Sequence, residues 1–410
     1  MKMLIINTEF NRGGAAQIAR TLFQSLNQKN EFEGYFAYGR GERVDDERTI
    51  KFAYLPEIYF QGLLTRCFGL QGYGSWFSTR ALERFIIKEK FDLIHLHNLH
   101  GYYLNLDFIK FLGRLDIPVV WTLHDGWSMT GCCAYWFDCE KWKTGCGNCP
   151  NLSWYPKAYF DSSFFMWKKK KEYFNSGWNP IIVCPSQWLA DKVKESYLSK
   201  YQVKVIPNAI DIEIFKPKNK DFIRKKYDIP LEKKIILFVA ANLKDERKGV
   251  KYFFESLKYI KASNYLVLTI GKKINLTEGI KAGVNIRQLG YVHDKELLSE
   301  TYNTADIFCI TSLDEVFGLT VTEAMACGVP VVGFKVGGIP EQVRGDCGVL
   351  VNPKDTEALG RAIEKLLNDD EMRKKFSENC RKRVLQNYTI NKFTDNYIKV
   401  YNNALRGKNQ

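Results

Sequence analysis

Short apolar runs followed by longer amphipathic ones repeat along this chain, and that alternation limits the folds open to it. "MLIIN" leads through Gly13-Gly14 into "AAQIARTLFQSL", whose apolar residues fall at helical spacing. "FDLIHLH" (Phe91 to His97), "IPVVWTLHD" (Ile117 to Asp125), "PIIVCPS" (Pro180 to Ser186) and "VKVIPN" read as further strands, and "QWLADKVKESYL" as a helix. Strands interleaved with helices predict a parallel sheet covered on both faces. The segment from Pro207 to about Pro230 carries three prolines and reads as a connection, with one short helix around "DFIRKKYD". The pattern then restarts. "KKIILFVAAN", "YLVLTIG", "VNIRQLG", "ADIFCIT", "PVVGF" and "CGVLV" are strand candidates, and "GVKYFFESLKYI" is a helix. Two α/β halves are expected, which suits a chain of 410 residues.

The composition is that of a globular protein, 45% hydrophobic and 26% charged. Sixty basic against 46 acidic residues give a net charge of +14, so an anionic partner is expected: a phosphorylated substrate, an acidic membrane surface or a nucleic acid. No nucleic-acid recognition module occurs, and nucleic acid is not carried forward as a partner. In "FFMWKKKKEYF" (Phe164 to Phe174) aromatic residues flank four lysines. That stretch reads either as a solvated helix face or as a patch touching anionic lipid. "MKMLIINTEF" reads as a first buried strand rather than a leader, and no apolar stretch approaches the roughly 20 residues of a membrane span. The expected location is cytoplasmic, at most peripheral to the inner face of a membrane.

Three loops at expected strand ends suit anions. Gly13-Gly14 opens a helix and lets backbone amides approach a phosphate. It is not the G-x-G-x-x-G fingerprint of dinucleotide binding. "ANLKDERKGV" (Ala241 to Val250) places Arg247 and Lys248 beside Gly249 at a helix start, two cations that suit a diphosphate. "FKVGGIPEQV" (Phe334 to Val343) supplies a further glycine pair, with Pro340 at a first helical position.

Glu315 and Glu323 form E-x7-E within "EVFGLTVTEAMACGVPVV", followed by "VGGIPE". With "TLHD", "PSQWLADKV" and "IPNAID", this text resembles the signature of retaining GT-B glycosyltransferases of family 4, the glycosyl transferases group 1, over nearly the whole length. The resemblance implies an α/β GT-B fold, two facing Rossmann-like domains with parallel sheets and an interdomain cleft. It implies an acceptor-side domain over 1–206, a donor-binding domain over 207–385 and a C-terminal helix over 386–410 that packs back on the first domain. It further implies that Glu323 accepts hydrogen bonds from the donor ribose. Glu315 and His124 would lie by the transferred sugar. The amides of Phe317, Gly318 and Leu319 would meet sugar and phosphates, Lys248 would neutralise the diphosphate, and Gly14 would face the phosphates. The family often has an arginine six positions before that lysine; here the residue is Asn242, and Arg247 is expected to take over its charge.

The implied activity is retaining transfer of a hexose-type sugar from a nucleotide-diphosphate sugar to a glycan or lipid-linked acceptor in polysaccharide or lipopolysaccharide assembly. A non-catalytic nucleotide-sugar-binding protein and a sugar-nucleotide epimerase of the same fold are the alternatives. No D-x-D signal occurs at a strand end, so lysine, arginine and helix dipoles are expected in place of a catalytic divalent ion.

Five of the eleven cysteines fall within 131–150, just after His124 and Asp125. Cys139, Cys146 and Cys149, with Cys133 or its neighbour Cys132, would make a tetrahedral thiolate set for structural zinc. Separately buried, reduced thiols are the other reading. The insert is expected to shape the acceptor side.

Overall fold

The computed structural model describes residues 1–273 and 284–407; the end of the expected polar tail, 408–410, lies outside the described residues. The described chain separates into two compact units, Met1–Pro207 with the C-terminal segment from Ile390, and Asn208–Thr389.

The first unit is built on strands β1 (Lys2–Glu9), β2 (Glu33–Arg40), β3 (Thr49–Lys51), β4 (Leu93–Leu96), β5 (Val119–Thr122), β6 (Ile181–Cys184) and β7 (Val203–Val205). They form one sheet in the order β3-β2-β1-β4-β5-β6-β7, every pair parallel. Chain order reverses between β1 and β4, with Met3 paired to Leu93 and Ile6 to Leu96. Met3 to Ile6 and Leu93 to Leu96 are fully buried, apolar but for His95, as a strand covered on both faces requires.

The second unit holds β8 (Lys234–Asn242), β9 (Tyr265–Lys272), β10 (Ile286–Gly290), β11 (Ile307–Ile310), β12 (Val331–Phe334) and β13 (Gly348–Val351). Their order is β10-β9-β8-β11-β12-β13, again all parallel, with the reversal between β8 and β11. One face packs Leu237, Phe308 and Met325; the other packs Phe238, Phe253, Cys309 and Ile363. Both sheets are the parallel α/β layers expected from the sequence.

The C-terminal helix Ile390–Gly407 belongs to the first unit. Its Tyr397 hydroxyl lies 2.9 Å from Thr122 Oγ1, its Tyr401 hydroxyl 2.8 Å from His95 Nδ1, and Thr394 Oγ1 2.7 Å from Ser25 Oγ. Three aromatic or hydroxyl side chains one turn or so apart thus bond the sheet and the helix Gly14–Asn27 through buried polar pairs rather than grease alone.

Two strands, β2 and β3, carry no strand signal that the sequence reading used. "EGYFAYGR" mixes aromatic residues with glycine and charge instead of β-branched runs. Its pairing with β1 over Lys2 to Glu9 makes it a strand regardless.

Candidate functional site

In an open parallel sheet, loops at the carboxyl ends of the strands beside the reversal form a natural ligand site. In the second unit those are the loops after β8, β11 and β12. They carry the residues singled out above.

The loop after β8 makes a 3-10 turn, Glu246–Lys248, capped by Asp245, whose side chain accepts from the Arg247 N–H at 3.0 Å. It lies directly on the segment after β11. Leu313 N–H donates to Arg247 O at 2.8 Å, and the Thr311 hydroxyl donates to Gly249 O at 2.9 Å. Gly249 has φ +63°, and a Cβ there would stand 2.0 Å from Thr311 O. Only glycine allows that approach. The loop after β12 does the same from the other side: Gly338 N–H donates to Glu315 O at 3.0 Å. Gly337, at φ +56°, would put a Cβ 1.9 Å from the same oxygen.

Glu315 is therefore clamped by backbone on both sides, and its carboxylate meets three donors. Lys248 Nζ is 2.6 Å from Oε2, Arg247 Nη1 3.3 Å and Ser312 Oγ 3.3 Å. Arg247 Nη1 also donates to Asp314 O at 3.0 Å. Burial acts to raise the Glu315 pKa, but the Lys248 and Arg247 charges and the hydrogen bonds outweigh it and hold it below the usual carboxylate range. Two cations and one ionised carboxylate thus stand together in a largely covered loop cluster. Asn242 ends β8, and its side chain accepts from Lys244 N–H at 3.0 Å. Arg247 is the second cation beside Lys248.

Glu323 lies in the helix Leu319–Ala326, which buries Val321 to Ala326. It is 7% exposed and accepts a hydrogen bond from the Tyr302 hydroxyl at 2.8 Å. Burial pushes its pKa up to about 7, with the Tyr302 bond opposing. The two carboxylates are opposites electrostatically: Glu315 is held ionised, and Glu323 is held at the edge of protonation.

The sign of the linkage follows. A carboxyl raised from 4.5 to about 7 binds a proton more tightly in the folded chain. It favours folding below the unfolded value, and that contribution disappears as pH rises from 4.5 through about 7. Glu323→Gln should remove this slope. The difference in unfolding free energy between wild type and Glu323→Gln should change by about 3 kcal/mol across that window, measured by denaturant titration at successive pH values. A flat difference would show that Glu323 is not buried in this way.

Of the three expected amides, one is already engaged. Gly318 N–H donates to Gln342 Oε1 at 2.9 Å, and Gln342 Nε2 donates back to Gly318 O at 3.0 Å. In the structure as it stands, the Gly318 amide is held by Gln342, so a ligand would have to displace that bond to reach it. Phe317 is buried against Tyr388, its ring centroid 5.8 Å away. Leu319 is the first helical residue, where an N–H has no partner within its own helix.

In the first unit the loops beside the reversal follow β1, β4 and β5. Gly13 is the N-cap and Gly14 the first residue of the helix Gly14–Asn27, both exposed. His124 follows β5. Its Nε2 lies 2.8 Å from His97 Nδ1, with the rings stacked at 5.1 Å. Next to it His100 Nε2 lies 2.8 Å from Asp125 Oδ2, and Asp125 Oδ1 accepts from Trp127 N–H at 3.0 Å. His95 lies 4.3 Å from His97, ring to ring. Burial lowers the His124 pKa to about 4 and that of His95 to about 3, and it puts His97 well below the usual range. These three are neutral rings, and a single N–H joins His97 to His124. His97 Nε2 and His100 Nδ1 are buried without a partner. Both rings line one small cavity with His124 and Asp125.

Sequence reading found His124 alone here. Four of the chain's five histidines are in this cluster. The signal was "IHLHNLH", three histidines in six positions leaving a strand whose neighbour ends at "TLHD". The β4–β5 pairing, with Leu96 opposite Trp121, brings the two ends side by side.

The cysteine insert does not assemble as expected. Among the described residues, no three His, Cys, Asp or Glu side chains are placed to hold a metal ion. Cys133, Cys139, Cys146 and Cys149, with Cys132, line a small cavity, and Gly131 N–H points at Cys146 Sγ from 3.1 Å. Burial raises the Cys132 thiol to about 12 and the Cys146 thiol to about 11, and it pushes Cys133 and Cys149 upward as well. The four-lysine run is corrected too. In the helix Ser163–Phe174, Lys170 is fully buried, its Nζ 2.5 Å from Trp127 O and 4.1 Å over the Trp127 ring. That run is not one solvated face.

Two family models match the chain: Glycosyltransferase Family 4 over residues 12–214 and Glycosyl transferases group 1 over 219–383. The chain is 28% identical over 381 residues to WcaC of Escherichia coli K12, named as a glycosyl transferase of colanic acid biosynthesis, covering 88% of this chain and 89% of that one. It is 26% identical over 222 residues, 51% of this chain and 56% of the relative, to an Escherichia coli UDP-Gal:alpha-D-GlcNAc-diphosphoundecaprenol alpha-1,3-galactosyltransferase. Among solved structures it superposes on sucrose-phosphate synthase from Thermosynechococcus elongatus with a TM-score of 0.74 at 19% identity, over 99% of both chains. HepE from Anabaena, solved with UDP and glucose, gives 0.67 at 16% identity, over 98% of this chain and 99% of that one. At those identities the structural likeness establishes the GT-B fold.

Proposed function

This chain belongs to the glycosyltransferases of family 4, and from that premise we propose that it transfers a hexose-type sugar, with retention, from a nucleotide-diphosphate sugar to a glycan or lipid-linked acceptor in cell-surface polysaccharide assembly, on the cytoplasmic side of the membrane. The observation that carries the reading is the clamped trio of Arg247, Lys248 and Glu315, with Glu323 one short helix away. The names of the relatives support the polysaccharide context, and one of them acts on a diphosphoundecaprenol-linked sugar. UDP and glucose in the HepE structure support a nucleotide-sugar donor.

The chemistry assigned to each group follows from charge. Lys248 and Arg247 neutralise the diphosphate, which gains negative charge as the sugar–phosphate bond breaks. In doing so they exchange the Glu315 carboxylate for phosphate oxygens, and Glu315 turns to the sugar hydroxyls. Glu323 accepts from the ribose hydroxyls, which add to the single hydrogen bond that the Tyr302 hydroxyl gives its carboxylate. His124 is assigned to the transferred sugar. Departure leaves the bonding pair on the phosphate oxygen. The acceptor oxygen bonds to the anomeric carbon from the same face, and its proton passes to that phosphate oxygen. No side-chain nucleophile and no divalent ion is assigned a part.

The test is turnover of UDP-, GDP- and ADP-sugars, followed by release of the nucleotide diphosphate with and without a glycan acceptor. Acceptor-dependent release of one nucleotide with an α-configured product from an α-configured donor supports the reading. Free epimerised sugar formed without acceptor, or no turnover of any donor, contradicts it.

A further inference from the structure

Three buried polar atoms of the first unit belong to residues lining one small cavity and have no partner among the described residues: His97 Nε2, His100 Nδ1 and Ser128 Oγ. His97 is 1% and Ser128 3% exposed, and the His100 side chain 9%. Buried polar atoms are paired as a rule, so three at one place point to something that pairs with all of them. The cavity offers about 10 Å³, the room of one water. Its walls are fixed by bonds that use none of the three atoms. Ser128 O accepts from the Tyr197 hydroxyl, Trp127 O from Lys170 Nζ at 2.5 Å, and His100 O from Thr8 Oγ1 at 2.6 Å.

A charge stands on one side of the cavity. Asp125 Oδ1 accepts from Trp127 N–H at 3.0 Å, and Oδ2 lies 2.8 Å from His100 Nε2. Burial acts to raise the Asp125 pKa, but His100 and the Trp127 amide outweigh it and hold the carboxyl below its usual range. An ionised carboxylate only accepts, so His100 donates from Nε2 and shows Nδ1 to the cavity as a lone pair. On the other side, His97 Nδ1 lies 2.8 Å from His124 Nε2, and burial keeps both rings neutral. One N–H lies between them. The two rings therefore carry their protons on like nitrogens, both on Nε2 or both on Nδ1.

We propose that a single water in this cavity joins the two pairs into one chain, His124–His97–water–His100–Asp125, in which every donor points toward the carboxylate. His124 Nε2–H donates to His97 Nδ1, and His97 Nε2–H to the water. The water donates to His100 Nδ1 and Ser128 Oγ, and His100 Nε2–H donates to Asp125 Oδ2. All three unpartnered atoms are then paired, by a water with an ordinary number of bonds. The anion selects this polarity, because bonds in series polarise one another and bonds directed at a negative charge are the stronger ones. The consequence falls on His124, whose Nδ1 is left as an acceptor for a hydroxyl. Asp125 and His100 are positioning residues that act on that ring from across the cavity. The polarity belongs to the free chain. Only its use on a hydroxyl of the transferred sugar rests on the transfer reading.

The experiment is nitrogen–proton correlation NMR of the imidazole rings in the full chain, labelled at histidine with nitrogen-15, near neutral pH. Each ring is assigned by single-residue substitution. In wild type, His97, His100 and His124 should all be protonated at Nε2 alone. Asp125→Asn should reverse all three. Its Oδ1 stays on the Trp127 N–H, so its Nδ2 donates to His100 Nε2, and every bond of the chain turns round, down to a proton on His124 Nδ1. His95, whose nitrogens are held by the Tyr401 and Thr122 hydroxyls, should keep its signals. A wild-type proton on Nδ1 of His97 or His124 overturns the proposal, and that result needs no variant to fold. So does an Asp125→Asn chain that reverses His100 alone, since nothing then carries the change across the cavity. On the accepted nucleotide sugar, Asp125→Asn should lower turnover about ten- to hundredfold, because His124 then meets the hydroxyl as a donor instead of an acceptor. Reversed rings with unchanged turnover would uphold the chain and remove His124 from the sugar.

Discussion

Lys248→Ala should lower the turnover number by about 10²–10³-fold on the accepted nucleotide sugar while leaving the fold intact. The lysine is a solvent-reaching group on a 3-10 turn, so its removal opens no core cavity. What it removes is a fixed cation where the leaving diphosphate gains charge. Arg247 stays, which is why the loss should stop short of abolition. Lys248→Arg should recover part of the rate, because the charge is restored with a different reach. The measurement is steady-state kinetics of both variants beside thermal melts. A Lys248→Ala enzyme with wild-type turnover would remove the diphosphate from this loop.

Gly337→Ala should cost about 3 kcal/mol of stability in the second unit and depress activity beyond what that loss explains. Its φ of +56° is strained for any side chain, and the added Cβ would stand 1.9 Å from Glu315 O. Neither partner is the loose end of a side chain, so backbone must move. The first thing displaced is the Gly338-to-Glu315 hydrogen bond, and with it the carboxylate that Lys248 and Arg247 hold. Gly345, where a Cβ would meet nothing within 4 Å, is the matched control. Equal stability and kinetics for Gly337→Ala and Gly345→Ala would show that the close approach does not set the site.

The strands that carry the site were legible because parallel strands buried on both faces need long apolar runs, and such runs are visible in one dimension. β8, β11 and β12 read directly, and so did the turns after them, since Gly249 and Gly337 sit where backbone must touch backbone. Pairing across the sheet was not legible. That Lys248 meets Glu315 depends on β8 and β11 being neighbours at the reversal, and that His97 meets His124 depends on β4 lying beside β5. β2 escaped because its place comes from pairing with β1 rather than from its own residues. Composition misled at Lys170, where a charge went inside on the Trp127 carbonyl. The Gly318 amide carried no mark in the sequence that Gln342, far along the chain, would occupy it.

The most direct test of the account is thermal melting of the whole chain with UDP-, GDP- and ADP-sugars, in wild type and in Lys248→Ala and Glu323→Ala. A ligand that binds the native state at about a hundred times its dissociation constant stabilises by roughly 2.7 kcal/mol, a shift of several degrees. At least one nucleotide sugar should raise the wild-type midpoint by that much, and each substitution should remove most of the shift. No shift in wild type with any donor, or an undiminished shift in both variants, would contradict the assignment of Arg247, Lys248, Glu315 and Glu323 to the donor.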